Sequence, residues 1–171
     1  MIDALNLETR QFGKWFELTI QLLNPTFEPS NDLSYDRKDN DIKIEIKASR
    51  ALSKATEPTI DNYHEVGKET KCNRLICDDN KLTTKWDCNI QQIKTDCFDI
   101  LWYGIFFQDK IYIFKIDSET IRQDSNIKYS DKQHRGNKRE GQFHIKNTNI
   151  QYHIDNYLYM KLDYDDLKKL T

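Results

Sequence analysis

Ile42-Lys43-Ile44-Glu45-Ile46-Lys47 alternates strictly between apolar and charged residues, and a period of two predicts a half-buried β-strand. The three isoleucines form one face of that strand, and Lys43, Glu45 and Lys47 form the other. Just upstream, Arg37-Lys38-Asp39-Asn40-Asp41 carries turn chemistry, so Leu33 to Ser49 reads as a β-hairpin whose first arm holds Ser34-Tyr35-Asp36. A turn around Asp39-Asn40 sets Asp36 opposite Lys43. Glu45 is then its diagonal neighbour, about 7–8 Å away at the backbone.

On the N-terminal side of the hairpin, Leu5, Phe12, Trp15, Phe16, Ile20 and Leu23 recur at helical spacing until Asn24-Pro25 stops the run. Glu17 falls at the edge of that apolar stripe. On the C-terminal side, Ala48, Arg50, Ala51 and Leu52 open a stretch of helix formers that breaks at Pro58. A strand around Arg74 to Cys77 and a polar loop are expected next. Asn89-Ile90-Gln91-Gln92-Ile93-Lys94 follows, open to a helix or strand reading. Phe98 to Phe107 and Ile111 to Ile116 are strands joined by the turn Gln108-Asp109-Lys110, the first apolar enough to be covered on both faces. Ser118 is placed to cap a short helix containing Ile121, and Tyr164 to Leu170 fits a terminal helix. The fold class expected is α/β, a central mixed sheet flanked by helices, in a single domain over residues 1–171.

The 171 residues are 37% hydrophobic, 32% charged and 12% aromatic, too aromatic for a disordered chain. Twenty-six Lys and Arg against 28 Asp and Glu leave a formal charge of -2, which argues against a protein that simply coats nucleic acid. No basic-then-apolar leader opens the chain, and no run reaches the roughly 18 apolar residues of a membrane span. With four cysteines and no export signal, a reduced, cytoplasmic protein that does not engage membranes is expected.

Asp36, Glu45 and Lys47 carry the chemistry. Two carboxylates converging from neighbouring strands can hold a hard cation such as Mg²⁺, which favours one or two carboxylates plus water and phosphate oxygens. An ammonium beside that cation can hold the attacking water. A lone Glu-x-Lys is usually the solvent face of an ordinary strand. Here the ordinary reading must also account for Asp36 on the same face, the helix bearing Glu17 and the apolar strands that follow.

In this order, Arg10-Gln11-Phe12-Gly13-Lys14-Trp15-Phe16-Glu17, then Ser34-Tyr35-Asp36, then Ile44-Glu45-Ile46-Lys47-Ala48-Ser49, the chain resembles the PD-(D/E)XK nuclease superfamily and its small type II restriction endonucleases. The resemblance implies a restriction-endonuclease-like fold and Mg²⁺-dependent hydrolysis of double-stranded DNA that leaves 5′-phosphates. It assigns catalysis to Asp36, Glu45, Lys47 and the helix carboxylate Glu17, and the metal to Asp36, Glu45 and Ile46. Tyr35 stands where the family has Pro, and Asp39 and Asp41 are rivals for the first carboxylate. Asp39 belongs to the turn and Asp41 starts the second strand, so Asp36 is preferred. The specific part of the resemblance covers about the first 50 residues.

Two groups could hold the DNA. Ser49, Arg50 and Lys54 directly follow Lys47. The stretch 126–146, read as a loop, has six basic residues against Asp131 and Glu140, a local excess of four positive charges. Within it Gln133, Asn137 and Gln142 can pair bidentately with adenine and Arg135 and Arg139 with guanine, with His134 and Lys138 among them. Gly136 and Gly141 allow close backbone approach. A solvated surface loop is the competing reading. Gln91 or Gln92 could also reach the site.

Cys72, Cys77, Cys88 and Cys97 lack the paired Cys-x2-Cys spacing of zinc sites, so burial is the default. A cysteine nucleophile with His64 has no supporting motif. Tyr152, Tyr157, Tyr159 and Tyr164 suit a core or a subunit contact better than base stacking.

The sequence therefore points to a type II restriction enzyme, expected to be a homodimer that cuts a palindromic site and works beside a cognate DNA methyltransferase. A junction resolvase or repair nuclease on the same fold, and a non-catalytic DNA-binding module, remain as alternatives.

Overall fold

The computed structural model describes residues 5–132, 138–167 and Lys169. The first helix, α1 (Thr9–Leu23), buries Phe12, Phe16, Thr19 and Ile20 and stops at Asn24, whose N–H returns to the Ile20 carbonyl. Strands β1 (Glu28–Pro29), β2 (Arg37–Asp39) and β3 (Ile42–Arg50) follow. After the single-turn helix α2 (Tyr63–Val66) come β4 (Asp87–Ile93), β5 (Ile100–Phe106), β6 (Lys110–Asp117) and helix α3 (Ser118–Gln123). The remainder is β7 (Ser130–Lys132), β8 (Lys138–Lys146), α4 (Ile150–Tyr157), β9 (Leu158–Asp163) and α5 (Tyr164–Leu167).

The chain is a mixed α/β structure built around a six-stranded sheet in the order β1-β2-β3-β5-β6-β9. Only β3 and β5 run parallel; the other pairs in it are antiparallel. A second, three-stranded antiparallel sheet has the order β4-β8-β7.

Alternation along the strands divides the core into two halves. One holds Ile44, Ile46, Trp102, Phe106, Ile111 and Ile113 against Phe12, Phe16 and Ile20 of α1. The other holds Leu101, Tyr103, Ile105, Tyr112, Phe114 and Ile116 against Trp86, Ile90, Phe143 and Ile145, with Ile121 and Ile150 from α3 and α4. The central strands are therefore buried on both sides, as the apolar character of β5 predicted. Gly104 serves this packing: a β-carbon there would lie 2.5 Å from Cζ of Phe16.

Four local expectations change. Ala48 to Arg50 continue β3 because they pair with Gly104 to Phe106 of β5, and that pairing overrides their helix propensity. Lys71–Arg74 form a 3₁₀ turn, leaving Leu75 only an isolated bridge to Leu52 where a strand was expected. Asp117 takes the N-cap position of α3, so Ser118 is already its first residue. Finally, much of the stretch read as a loop over 126–146 is β7 and β8 of the second sheet. Its glycine also has another use, since the Tyr129 ring fills the space beside Gly141. Among the described residues no helix is long and apolar enough to cross a membrane.

Candidate active site

The hairpin turns one residue later than expected. Asp39 pairs with Ile42, Lys38 with Lys43 and Arg37 with Ile44, and Asn40 closes the turn at φ 53, a left-handed conformation that Asn tolerates. The same register carries Asp36 to the position facing Glu45, and its N–H donates to the Ile44 carbonyl at 2.9 Å. Asp36 is thus opposite Glu45 rather than diagonal to it, and the two carboxylates are closer than the sequence implied.

Beyond Arg37, β2 no longer pairs with β3, and the Asp36 side chain takes its place. Its Oδ2 accepts the Ile46 N–H at 2.8 Å. Main-chain N–H and C=O of one strand residue point to the same edge, so the Ile46 carbonyl lies along the edge that Asp36 occupies. Lys47 reaches the same spot: its Nζ donates to Glu45 Oε1 and lies 4.0 Å from Asp36 Oδ2. Glu45 is 7% exposed. Burial first, and then the adjoining Asp36 carboxylate, push its pKa up to about 7, with Lys47 acting in the opposite direction.

An open cleft of about 600 Å³ lies between α1 and β4; it reaches the junction at Ile46 and Lys47, while Asp36 and Glu45 sit behind its lining. Glu17, Lys47 and Ser49 line it with Asn89, Gln91 and Gln92, and Arg10, Lys14 and Lys71 add cations. Glu17 is paired with Lys14 at 2.7 Å and Arg37 at 3.8 Å, not with the Asp36–Glu45 pair.

The other predicted contacts fall out differently. Ser49 faces the cleft, whereas the Arg50 guanidinium donates to the Leu7 carbonyl at 2.7 Å and lies 3.7 Å from the Phe12 ring centre. At 6% exposure Arg50 is a packing group, not an available cation. Lys54 is exposed and paired with Glu57 at 2.7 Å. Gln142 belongs to the second sheet, where its Oε1 accepts from Asn89 at 2.7 Å. Gln133, His134, Arg135 and Asn137 lie outside the described residues, as does Gly136; Lys138 and Arg139 are described only as the start of β8.

Asp36, Glu45 and the Ile46 carbonyl are the groups that could hold a divalent cation. Among the described residues no cluster of three His, Cys, Asp or Glu side chains forms a metal centre, so a cation here would need the carbonyl, water and substrate oxygens. The four cysteines are not disulfide-linked, and Cys88 is a buried thiol whose pKa burial raises. Of the late tyrosines, Tyr157 and Tyr164 pack against the core, Tyr152 and Tyr157 both donate to Asp124 Oδ2, Tyr164 donates to the Phe107 carbonyl at 2.6 Å, and Tyr159 is exposed.

Sequence reasoning missed the second sheet as a wall of this cleft. The signal was present, because Asp87-Cys88-Asn89-Ile90-Gln91 alternates polar and apolar as a strand does. Comparison with family models, curated proteins and solved structures gives no match.

Proposed function

We propose that the chain is a metal-dependent endonuclease that hydrolyses double-stranded DNA, of the type II restriction kind. The observation that carries the reading is the junction of Asp36, Glu45 and Lys47 on the exposed edge of β3, beside an open cleft rimmed by Arg10, Lys14 and Lys71. A helix bearing Glu17, a hairpin bearing Asp36 and Glu45, and further strands of one mixed sheet support the reading.

Asp36, Glu45 and the Ile46 carbonyl would hold Mg²⁺, and the donor set suits it: hard oxygens only, with two carboxylates brought face to face by the β2–β3 register. Bound there, the cation supplies charge neutralisation at phosphate and a more acidic water. Lys47 orients the water, and the basic rim holds the phosphates either side of the scissile one. Water oxygen bonds to phosphorus as the P–O3′ bond breaks. The water's proton leaves to solvent by way of the Lys47–Glu45 pair, and the 3′ oxygen takes one up, giving a 3′-hydroxyl and a 5′-phosphate. In a homodimer each protomer would cut one strand, and a cognate methyltransferase would shield the host's own sites.

The experiment is digestion of supercoiled plasmid by the purified protein with Mg²⁺, with EDTA and as Glu45→Ala. Discrete fragments that need Mg²⁺ and vanish with Glu45→Ala are expected. Wild-type rates from Glu45→Ala would overturn the site. Cutting confined to branched DNA would move the reading to a resolvase.

A further inference from the structure

The second sheet has an inner face, buried against the core through Cys88, Ile90, Phe143 and Ile145. Its outer face is polar throughout. Asn89 is paired with His144 in register, and Gln91 with Gln142. Ser130 of β7 lies beside Gln142. Asn89 is half-buried at the cleft wall with its Oδ1 shielded from solvent, whereas Gln91 and Gln142 lie further along this face and take no part in the apolar core.

These amides are not equivalent. Asn89 Nδ2 donates to Gln142 Oε1 at 2.7 Å, and Gln142 Nε2 reaches the Lys132 carbonyl at 3.3 Å. That chain crosses all three strands and fixes the amides of Asn89 and Gln142 in place. Gln91 and Gln92 are exposed and, among the described residues, have no side-chain hydrogen bond. A bulge lies between Gln91 and Ile93, with Gln92 at φ 61. Such bulges redirect side chains, and a non-glycine residue held there is a strained position kept by its surroundings. Both glutamines line the cleft that contains Lys47.

The link between the two sheets is short. Leu52, two residues past the end of β3, bridges Asp87 at the start of β4, with the Asp87 N–H donating to the Leu52 carbonyl at 3.1 Å. A duplex with its backbone at Lys47 therefore presents a groove to the outer face of β4 and β8. The major groove admits a two-stranded β-ribbon, and a carboxamide matches the N6 and N7 edge of adenine with two hydrogen bonds.

We infer that the outer face of the β4–β8 sheet enters the major groove, and that Gln91, buttressed by the Asn89–Gln142 pair, reads adenine in the cleaved site. The inference rests on the nuclease reading above and names what that nuclease recognises.

Plasmid DNA copied with 7-deazaadenine tests it, because that base lacks only the N7 acceptor in the major groove. With Mg²⁺, the wild-type protein should cut ordinary DNA roughly tenfold or more faster than the 7-deazaadenine copy, the discrimination expected of a bidentate contact. A copy with 7-deazaguanine should be cut within about threefold of ordinary DNA. Gln91→Ala, a change at an exposed position, should slow cutting of ordinary DNA by a similar factor and shrink the difference between ordinary and 7-deazaadenine DNA. Equal wild-type rates on ordinary and 7-deazaadenine DNA overturn the inference while leaving the nuclease intact. So does a Gln91→Ala protein that keeps the full wild-type ratio. A wild-type protein that cuts none of these DNAs overturns the nuclease reading and this inference together.

Discussion

The two sheets differ in what their side chains are for. In the large sheet, β5 and β6 place aromatic and branched residues on both faces, and Tyr103, Phe106, Tyr112 and Phe114 are fully buried. In the small sheet only one face is apolar, and the other carries amides, His144 and Lys146 together with the acidic Asp87, which pairs with both. The large sheet is scaffold that carries the reactive groups at one place, where β3 runs past the end of β2. The small sheet is a thin layer whose outer half contributes nothing to the core, so its composition is free to answer to something outside the molecule.

That contrast predicts a graded set of responses. The largest belongs to the scaffold: Phe16→Ala empties the space between α1, Gly104 and Phe106 and should cost about 3–5 kcal/mol, read as a shift in the urea midpoint. A loss below about 1 kcal/mol would mean that α1 is not anchored there. Next come the reactive groups. Asp36→Asn keeps an oxygen for the Ile46 N–H but removes one carboxylate, so plasmid cutting should fall by about 100- to 1000-fold with little change in melting temperature. Unchanged cutting would remove Asp36 from the chemistry.

The third response is to acid. His153 is fully buried, and its Nδ1 meets the Tyr103 hydroxyl at 2.8 Å. Burial lowers its pKa from 6.5 to about 4. A folded-state pKa below the unfolded one means that the unfolded chain takes up the proton first. His153 therefore costs nothing above pH 6.5, and stability drains as the pH falls towards 4, by about 3 kcal/mol at most. His153→Gln, neutral throughout, should lose correspondingly less between pH 7.5 and pH 4.5 in urea titrations; parallel losses in both proteins would defeat this account. The smallest effect belongs to the outer face. His144 pairs with Asp87 at 2.9 Å in the open, so His144→Ala should move stability by less than about 0.5 kcal/mol. A larger loss would make that face structural after all.

Helix α1 and strand β3 were legible because each repeats its period over several residues, and β5 and β6 because each is an apolar run of strand length beside a tight turn. The carboxylates and Lys47 were legible for the same reason, since parity along β3 puts Glu45 and Lys47 on one face. Their spacing was not: a turn centred one residue later, set by the left-handed Asn40, moved Asp36 two positions along its partner. The continuation of β3 through Ala48 and Arg50 was hidden because strand pairing with β5 comes from fifty residues downstream. Strand β8 was obscured by its lysine, arginine and glycine content, although Phe143 and Ile145 alternate with polar neighbours as a strand requires. Arg50 looked like a cation for DNA, and only the fold reveals Phe12 and Leu7 beside it.

The parallel pairing of β3 with β5 also bears on timing. All the chain between Arg50 and Ile100, β4 included, must be made before that pair can close. Long-range pairing of this kind forms slowly. A nascent chain that has emerged only as far as Lys47 carries each reactive group and the hairpin that pairs them, but lacks β5 beside β3 and the β4 wall of the cleft. For a proposed DNA-cutting enzyme this is a built-in delay: β3 gains its parallel partner, and the cleft its far wall, only when folding joins the two halves of the chain.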